Sequence, residues 1–235
     1  MHKNIKHGFL QACINFGTLT FDMIMNILTP MCDAYEVDVP SDPSALKDFV
    51  KEIDASIMQY NQTLTFVKHP LVDEEFLVFG FTGESEVAKL SHFSDVDRHY
   101  FYKMLQAMVN RPEYGITWSD IYNVESARRG QKAITKSHMQ ELVEGWTQQG
   151  YFLKKDNGIY FGPRMLVEYS NHLKINYPDV VKDCPLCSHL VLWDVNCSEC
   201  ATKMHRECIR KYLIRKTNCP SCNKPWNTRL STSET

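Results

Sequence analysis

The sequence has no long apolar run. Its richest stretch, Met23-Ile-Met-Asn-Ile-Leu28, is short and broken by Asn26, far below the ~20 residues of a membrane-spanning helix, so no membrane partner is expected. Neither sign of charge dominates. A net charge of -2 exerts no global pull toward nucleic acid or a lipid surface. The opening residues, Met1-His-Lys-Asn-Ile-Lys6, lack the apolar core of a secretory signal. There is no Gly-rich phosphate loop, no nucleophile triad and no carboxylate pair at informative spacing. No stretch is low-complexity beyond the polar tail Ser231-Thr-Ser-Glu-Thr235, which reads as disordered. With 43% hydrophobic and 23% charged residues in 235, the composition is that of one large globular domain or two to three small ones.

Cysteine is plentiful, and it is concentrated. Seven of nine cysteines lie within residues 184–222. They fall as Cys184-Pro-Leu-Cys187, Cys197-Ser-Glu-Cys200, His205-Arg-Glu-Cys208 and Cys219-Pro-Ser-Cys222. Two residues between ligands let a tight turn bring both side chains onto one metal. Four such pairs make two complete tetrahedral zinc sites with no ligand left over. A secreted disulfide scaffold is the competing reading. Without a secretory signal, a reducing cytosolic or nuclear compartment is expected, and there metal is favoured. His189 breaks the spacing and reads as an exposed loop residue. Cys13 and Cys32 stand alone in apolar surroundings and read as small buried residues.

A segment this short has few large apolar residues and struggles to offset its ordering entropy. Zinc supplies the missing free energy, so the metal-free segment should be largely unfolded. With every coordination position filled by protein, neither site has room for an activated water. The two zinc ions are structural, and metal-assisted hydrolysis is not expected. The six Lys/Arg and three Asp/Glu of residues 184–222 give a formal +3. Seven thiolates and two zinc ions carry -3, so the basic residues read as offsetting cluster charge rather than marking a nucleic-acid site.

Upstream, the pattern is helices followed by a hairpin, twice. Phe9, Leu10, Cys13 and Ile14 recur at helical spacing. Thr20 can cap a second helix that Pro30 is expected to disturb, and Ser41-Asp-Pro-Ser44 is a capping turn. Leu46, Phe49, Val50, Ile53 and Ile57 share one face of a third helix. Thr63-Leu-Thr-Phe-Val67 and Phe76-Leu-Val-Phe-Gly-Phe81 then read as a β-hairpin. In the second round, Ser94 opens a helix with Phe101, Leu105, Met108 and Val109 inward. Trp118-Ser-Asp-Ile-Tyr122 is a short helix. Thr135 caps a third, with Met139, Leu142, Val143 and Trp146 inward. The turn at Asp156-Asn-Gly158 supplies a wing. Gly162-Pro163 opens a last helix with Leu166, Val167, Tyr169 and Leu173 as its apolar positions. The expected fold is mainly α with small β-hairpins. Tandem winged-helix domains, 1–85 and 86–178, precede a zinc-stapled RING-like domain, 179–235.

The ligand order, four cysteines, one histidine and three cysteines, resembles variant RING fingers and the related PHD fingers. Spacing alone leaves a sequential arrangement open. The resemblance implies an interleaved one, with Cys184, Cys187, His205 and Cys208 on one zinc and Cys197, Cys200, Cys219 and Cys222 on the other. PHD fingers carry a Trp two residues before the seventh ligand; here Thr217 stands there, which argues against a histone-tail reader. His205-Arg-Glu-Cys-Ile-Arg-Lys-Tyr-Leu213, and Cys219-Pro-Ser-Cys222 followed by Trp226, look like the central and closing parts of RING ubiquitin ligases. Such ligases form no covalent intermediate and orient a ubiquitin-charged conjugating enzyme. The resemblance implies a contact surface of Leu186, Tyr212 and Pro220, with Ile209 as a further member. Packing of the zinc loops is the plainer role for each. Many active RINGs have Arg or Lys after the eighth ligand; Asn223 here implies that activity needs a partner.

Tandem winged helices followed by this variant RING resemble the non-SMC element 1 family of the SMC five-six chromosome-maintenance complex. The resemblance spans essentially the whole chain and is most specific at residues 184–226 and at Gln148-Gln-Gly-Tyr-Phe152. It implies a RING-type E3 ubiquitin ligase subunit, nuclear and chromosome-associated, acting in recombinational DNA repair. It also implies a MAGE-like partner, a kleisin subunit and a ubiquitin-conjugating enzyme. DNA is a further candidate partner. Residues 135–149 carry Lys136 and His138 but also Glu141 and Glu144, a balance that favours protein docking over DNA reading. Arg128, Arg129 and Lys132 can touch a phosphate backbone or form a solvated loop. The alternative function is a non-catalytic scaffold that docks complex subunits or DNA.

Overall fold

The computed structural model describes residues 2–40, 42–83, 90, 92–111, 113–126, 133–193, 195–228 and 230. Ser41, the cations Arg128, Arg129 and Lys132, and the polar tail 231–235 lie outside the described residues. The chain forms two compact units, Met1–Tyr169 and Ser170–Thr235. Among the described residues no helix is long and apolar enough to cross a membrane.

The first unit begins with α1 (Lys3–Phe16), β1 (Thr18–Leu19), α2 (Phe21–Ala34), α3 (Pro43–Ile57), β2 (Gln62–His69) and β3 (Glu74–Phe81). The Thr20 hydroxyl accepts from the Met23 N–H at 3.4 Å, and the Asp42 carboxylate accepts from Ser44 and Ala45 at 3.0 Å each. Each cap satisfies backbone donors that the first helical turn leaves without partners. The helices pack Phe9, Leu28, Leu46, Phe49 and Ile53 onto Leu64 and Leu77 of the sheet. Pro30 does not end α2, which continues to Ala34. Leu28 and Cys32, both 0% exposed on either side of it, hold the last turns by burial despite the missing N–H. Burial pushes the Cys13 thiol up to about 12, in keeping with a small inert core residue.

The same order returns in α4 (Asp95–Val109), β4 (Gly115–Thr117), α5 (Trp118–Ile121), α6 (Lys136–Gln148), β5 (Phe152–Lys155) and β6 (Gly158–Phe161). In both modules the third strand lies between the first and second, β1-β3-β2 and β4-β6-β5, all antiparallel. Helix, strand, helix, helix, hairpin in this order is a winged helix, so the chain carries two in tandem. The short strands β1 and β4 are the elements the sequence pattern does not announce. The second core is aromatic. Phe101 meets Trp146, Tyr151, Phe152 and Tyr169 at centroid distances of 5.0–5.6 Å, a packing with edge-to-face contacts among it. Ser94 and Asp97 form a capping box at the start of α4. Burial alone raises the Asp97 pKa, but hydrogen bonds with Ser94 and His138 reverse that and leave it below the ordinary carboxylate value.

The two modules are fastened through α7 (Pro163–Glu168). Sequence periodicity points to Leu166 and Val167 as core positions on a single long helix. The structure instead buries Arg164 and Glu168 and leaves Leu166 and Val167 partly exposed. It also breaks the helix at Tyr169 before α8 (Ser170–Asn176). The reason is hydrogen bonding. One Glu168 carboxylate oxygen accepts from the Phe81 N–H of β3 at 3.1 Å and from Arg164 Nε at 2.8 Å. The other accepts from the Tyr151 hydroxyl at 2.9 Å. The Arg164 guanidinium lies 4.5 Å from the Tyr151 ring centroid. Nearby, His69 Nε2 donates to the Phe161 carbonyl at 2.8 Å, and Lys155 donates to the Leu71 carbonyl at 3.0 Å. Gly17 and Gly150 sit where the two modules come close: a Cβ on Gly150 would lie 2.2 Å from the Thr18 side chain, and one on Gly17 would lie 2.7 Å from the Gln149 carbonyl.

Removing Glu168 leaves the buried guanidinium without its counter-charge, the situation in which a buried pair is most costly to break. Glu168→Ala should lower unfolding free energy by about 3–5 kcal/mol, read from the urea midpoint, and Glu168→Gln by less because it keeps two acceptor sites. His69 gives a pH dependence. Burial holds its pKa below the ordinary 6.5, with Lys155 acting the same way against the opposing pull of the Phe161 carbonyl. The unfolded chain therefore binds a proton that the folded chain refuses. Stability from this group is full above about pH 6.5 and is lost as pH falls through the depressed folded value. Urea midpoints at pH 7.5 and 5.5 should differ more for the parent than for His69→Gln.

Candidate metal centre and its surface

The second unit continues from α8 into β7 (Lys182–Asp183), β8 (Leu190–Val191), β9 (Val195–Asn196), β10 (Lys203–Met204) and α9 (Arg206–Leu213). β7 pairs with β8, and β9 with β10, each antiparallel. Three of the four ligand pairs are built alike. After Cys187, Cys200 and Cys222 the next residue, Ser188, Ala201 or Asn223, turns left-handed at φ 59°, 54° and 59°. Its N–H returns to the carbonyl of the pair's first cysteine, at 2.7, 2.9 and 3.0 Å. The N–H of that cysteine is in turn held by a carbonyl beyond the turn: His189 at 2.9 Å, Thr202 at 3.1 Å and Lys224 at 2.8 Å. Each loop thereby aims two sulfurs at one point. The fourth pair uses a helix instead. His205 is the N-cap residue of α9 and Cys208 sits in its first turn, so helical geometry brings the two together.

The structure gathers Cys184, Cys187, His205 and Cys208 into one cluster and Cys197, Cys200, Cys219 and Cys222 into another, ligand atoms within 4.8 Å of one another in each. The interleaved arrangement therefore holds, and the sequential one does not. Sulfur pairs in the second cluster are 3.8 and 3.9 Å apart. That matches the edge of a tetrahedron with Zn–S near ~2.3 Å and is far beyond a disulfide. In the first cluster His205 Nδ1 lies 3.3 Å from Cys187 Sγ and 3.9 Å from Cys208 Sγ. Its Nε2 lies 2.8 Å from the Leu190 carbonyl. An N–H must stand there, which leaves Nδ1 as the metal-facing nitrogen. Sequence spacing gives no sign of this supporting carbonyl. The donor sets, three cysteines with a histidine in one cluster and four cysteines in the other, fit two structural zinc ions and leave no open position for chemistry. His189 is exposed and outside both clusters.

Around the ions lies a small core. Val191, Met204 and Ile209 are buried with Cys184, Cys197 and Cys219, and Leu186, Tyr212 and Trp226 pack on them while partly exposed. Pro220 is also partly exposed. Ile209, grouped with these as a partner contact from sequence, is 0% exposed; it faces inward from α9 and supports the surface from beneath. Of the basic residues, Arg210 pairs with Glu207 at 2.9 Å and Lys224 with Glu199 at 3.1 Å. Asp194 lies outside the described residues.

Tandem winged helices and an interleaved two-zinc module define a RING-like protein. The RING-like domain profile matches residues 184–222. Among known proteins, the chain is similar to a Drosophila melanogaster protein, non-structural maintenance of chromosomes element 1 homolog. The two are 39% identical, with 97% of this chain and 98% of that protein covered. Proteins of the same name from Bos taurus and Homo sapiens are 25% and 20% identical, with 95% of this chain and 84% of each covered. The chain belongs to the non-structural maintenance of chromosomes element 1 family. A solved structure titled "Nse1-Nse3-Nse4 complex" shares the fold, with TM-score 0.77 at 19% identity, covering 97% of this chain and 99% of that one.

Chelation of the metal should unfold residues 184–222 and spare the first unit, because among the described residues both ligand clusters lie in 184–222. In hydrogen exchange at neutral pH with a strong chelator, amides of residues 184–222 should lose protection while those of α4 keep theirs.

Proposed function

We propose that this chain is the RING-type E3 ubiquitin ligase subunit of an SMC five-six complex, nuclear and chromosome-associated, acting in DNA repair by homologous recombination and in chromosome maintenance. The single observation that carries the ligase reading is the closed zinc pair beneath a partly exposed Leu186, Tyr212 and Pro220. Metal filled on all sides does no hydrolysis; what it supplies is a rigid frame for a protein contact. The three side chains would receive the charged conjugating enzyme and hold its thioester in a reactive orientation, so that catalysis is by positioning. The relative's title, naming an assembly of three subunits, supports a MAGE-like and a kleisin partner for this chain as well. The working modules on this reading are 1–85, 86–178 and 179–235.

Asn223 supports dependence on the MAGE-like partner. It occupies the position where a cation would grip ubiquitin, and the neighbouring Lys224 is paired with Glu199 at 3.1 Å. The same observation favours the second reading, a scaffold whose zinc module only docks. Discharge of a ubiquitin-charged conjugating enzyme onto free lysine, with chain and MAGE-like partner present, separates the two. The ligase reading expects acceleration over the enzyme alone and a loss of about tenfold on Leu186→Ala, within the class of interface truncations that cost more than about 1 kcal/mol. No acceleration, together with an inert Leu186→Ala, leaves the scaffold.

A further inference from the structure

Two aromatic rings and two lysines gather at one corner of the second winged helix. Trp118 opens α5 and Tyr122 closes it, their centroids 6.1 Å apart and their planes 33° from parallel. Lys154 from β5 sets its ammonium 5.5 Å from the Trp118 centroid. Lys136, the first residue of α6, sets its own 5.6 Å from the Tyr122 centroid. Both rings are partly exposed and both lysines are exposed. The nearby acids are already engaged: Asp120 by Arg111 at 2.6 Å and by Thr117 at 2.8 Å, and Glu125 by Lys103 at 3.1 Å. The family assignment gives this corner no task, and it lies apart in sequence from the zinc module.

We propose that this corner binds single-stranded nucleic acid, with bases stacking on Trp118 and Tyr122 and phosphates meeting Lys136 and Lys154. Alternating rings and cations match the alternating bases and phosphates of a strand. An exposed cation–π contact is weaker than base stacking, so the ammonium groups can leave the ring faces for phosphate oxygens as bases replace them. A duplex fits less well. Seating α6 in a major groove would bring Glu141, 71% exposed, and Glu144 toward the phosphates. The corner itself lies at the N-terminal end of α6, five and eight residues before those carboxylates. Binding here needs no ligase activity.

The test uses the zinc-loaded full chain with fluorescein-labelled oligo-dT, oligo-rU and a mixed-sequence duplex at 50 mM salt. Oligo-dT should raise anisotropy and quench tryptophan emission. Two phosphate contacts on a single strand give a log–log salt slope of about -1.4, or about sevenfold weakening between 50 and 200 mM. The double variant Lys136→Gln/Lys154→Gln, which keeps both rings, should flatten that slope. Trp118→Phe should retain most binding and lose most of the quench, with far-UV circular dichroism showing it folded. Equal binding of oligo-rU assigns the site to either kind of strand, and preference for oligo-dT assigns it to DNA. Duplex binding as tight as oligo-dT overturns the proposal. So does displacement by polyglutamate at matched charge, an unchanged slope in the double variant, or no binding at 50 mM salt.

Discussion

Coordination of two metal ions by interleaved ligand pairs is the constraint on which the C-terminal unit rests. Its apolar core amounts to a few side chains such as Val191, Met204 and Ile209, too little to hold some fifty residues. Three of its loops also turn at non-glycine residues in the left-handed region, Ser188, Ala201 and Asn223. Left-handed backbone costs roughly 1–2 kcal/mol per residue, so the three together cost about 3–6. Structural zinc contributes roughly 10–16 kcal/mol per site, which outweighs that cost with a wide margin. The metal thus permits loop shapes that a core of this size would not sustain. The Leu186 and Pro220 surface is a product of those loop shapes.

The N-terminal unit is held by a different kind of interaction. Two winged helices could move as beads on a string, but Glu168 reaches from α7 to a backbone donor of β3 while bound to Arg164 and Tyr151. A buried ion pair is a poor source of stability and a good source of specificity when every lone pair finds a donor. Here the donors come from both modules, so the pair is satisfied only in one relative arrangement. The glycines at 17 and 150 serve the same end by leaving room for the other module's Gln149 carbonyl and Thr18 side chain.

Much of this was legible in the sequence because it rests on local rules. Caps at Thr20, Ser94 and Thr135, the period of Leu46 to Ile57, and the Asp156 turn each act within a few residues. The zinc ligands were legible for the same reason, since their spacing is itself the geometry of a turn or a helix. What spacing left open was which pairs share a metal, a long-range question that the resemblance to RING fingers answered and the clusters bear out. The misses are also long-range. Nothing local in the sequence marks Arg164 and Glu168 as buried, because the donor that draws Glu168 inward, the Phe81 N–H, lies 87 residues away in β3. Ile209, for which packing was the plainer role beside the contact that the resemblance implies, is buried on the inner side of α9. Pro30 was expected to disturb α2, and the burial of Cys32 that carries the helix past it belongs to tertiary packing.

The interleaving of the two metal sites has a consequence for how the module comes into being. The first site needs Cys184 and Cys208, and the second opens at Cys197 and closes only at Cys222, so each loop is threaded between the anchors of the other. During synthesis the first ion can be captured before the last pair has emerged, but the stretch carrying Cys197 and Cys200 then hangs as an unclosed loop inside it. Closure of the second site waits on Cys219 and Cys222, the last ligand pair of the module. Loss of those residues therefore exposes thiolates in its middle, not merely at its end.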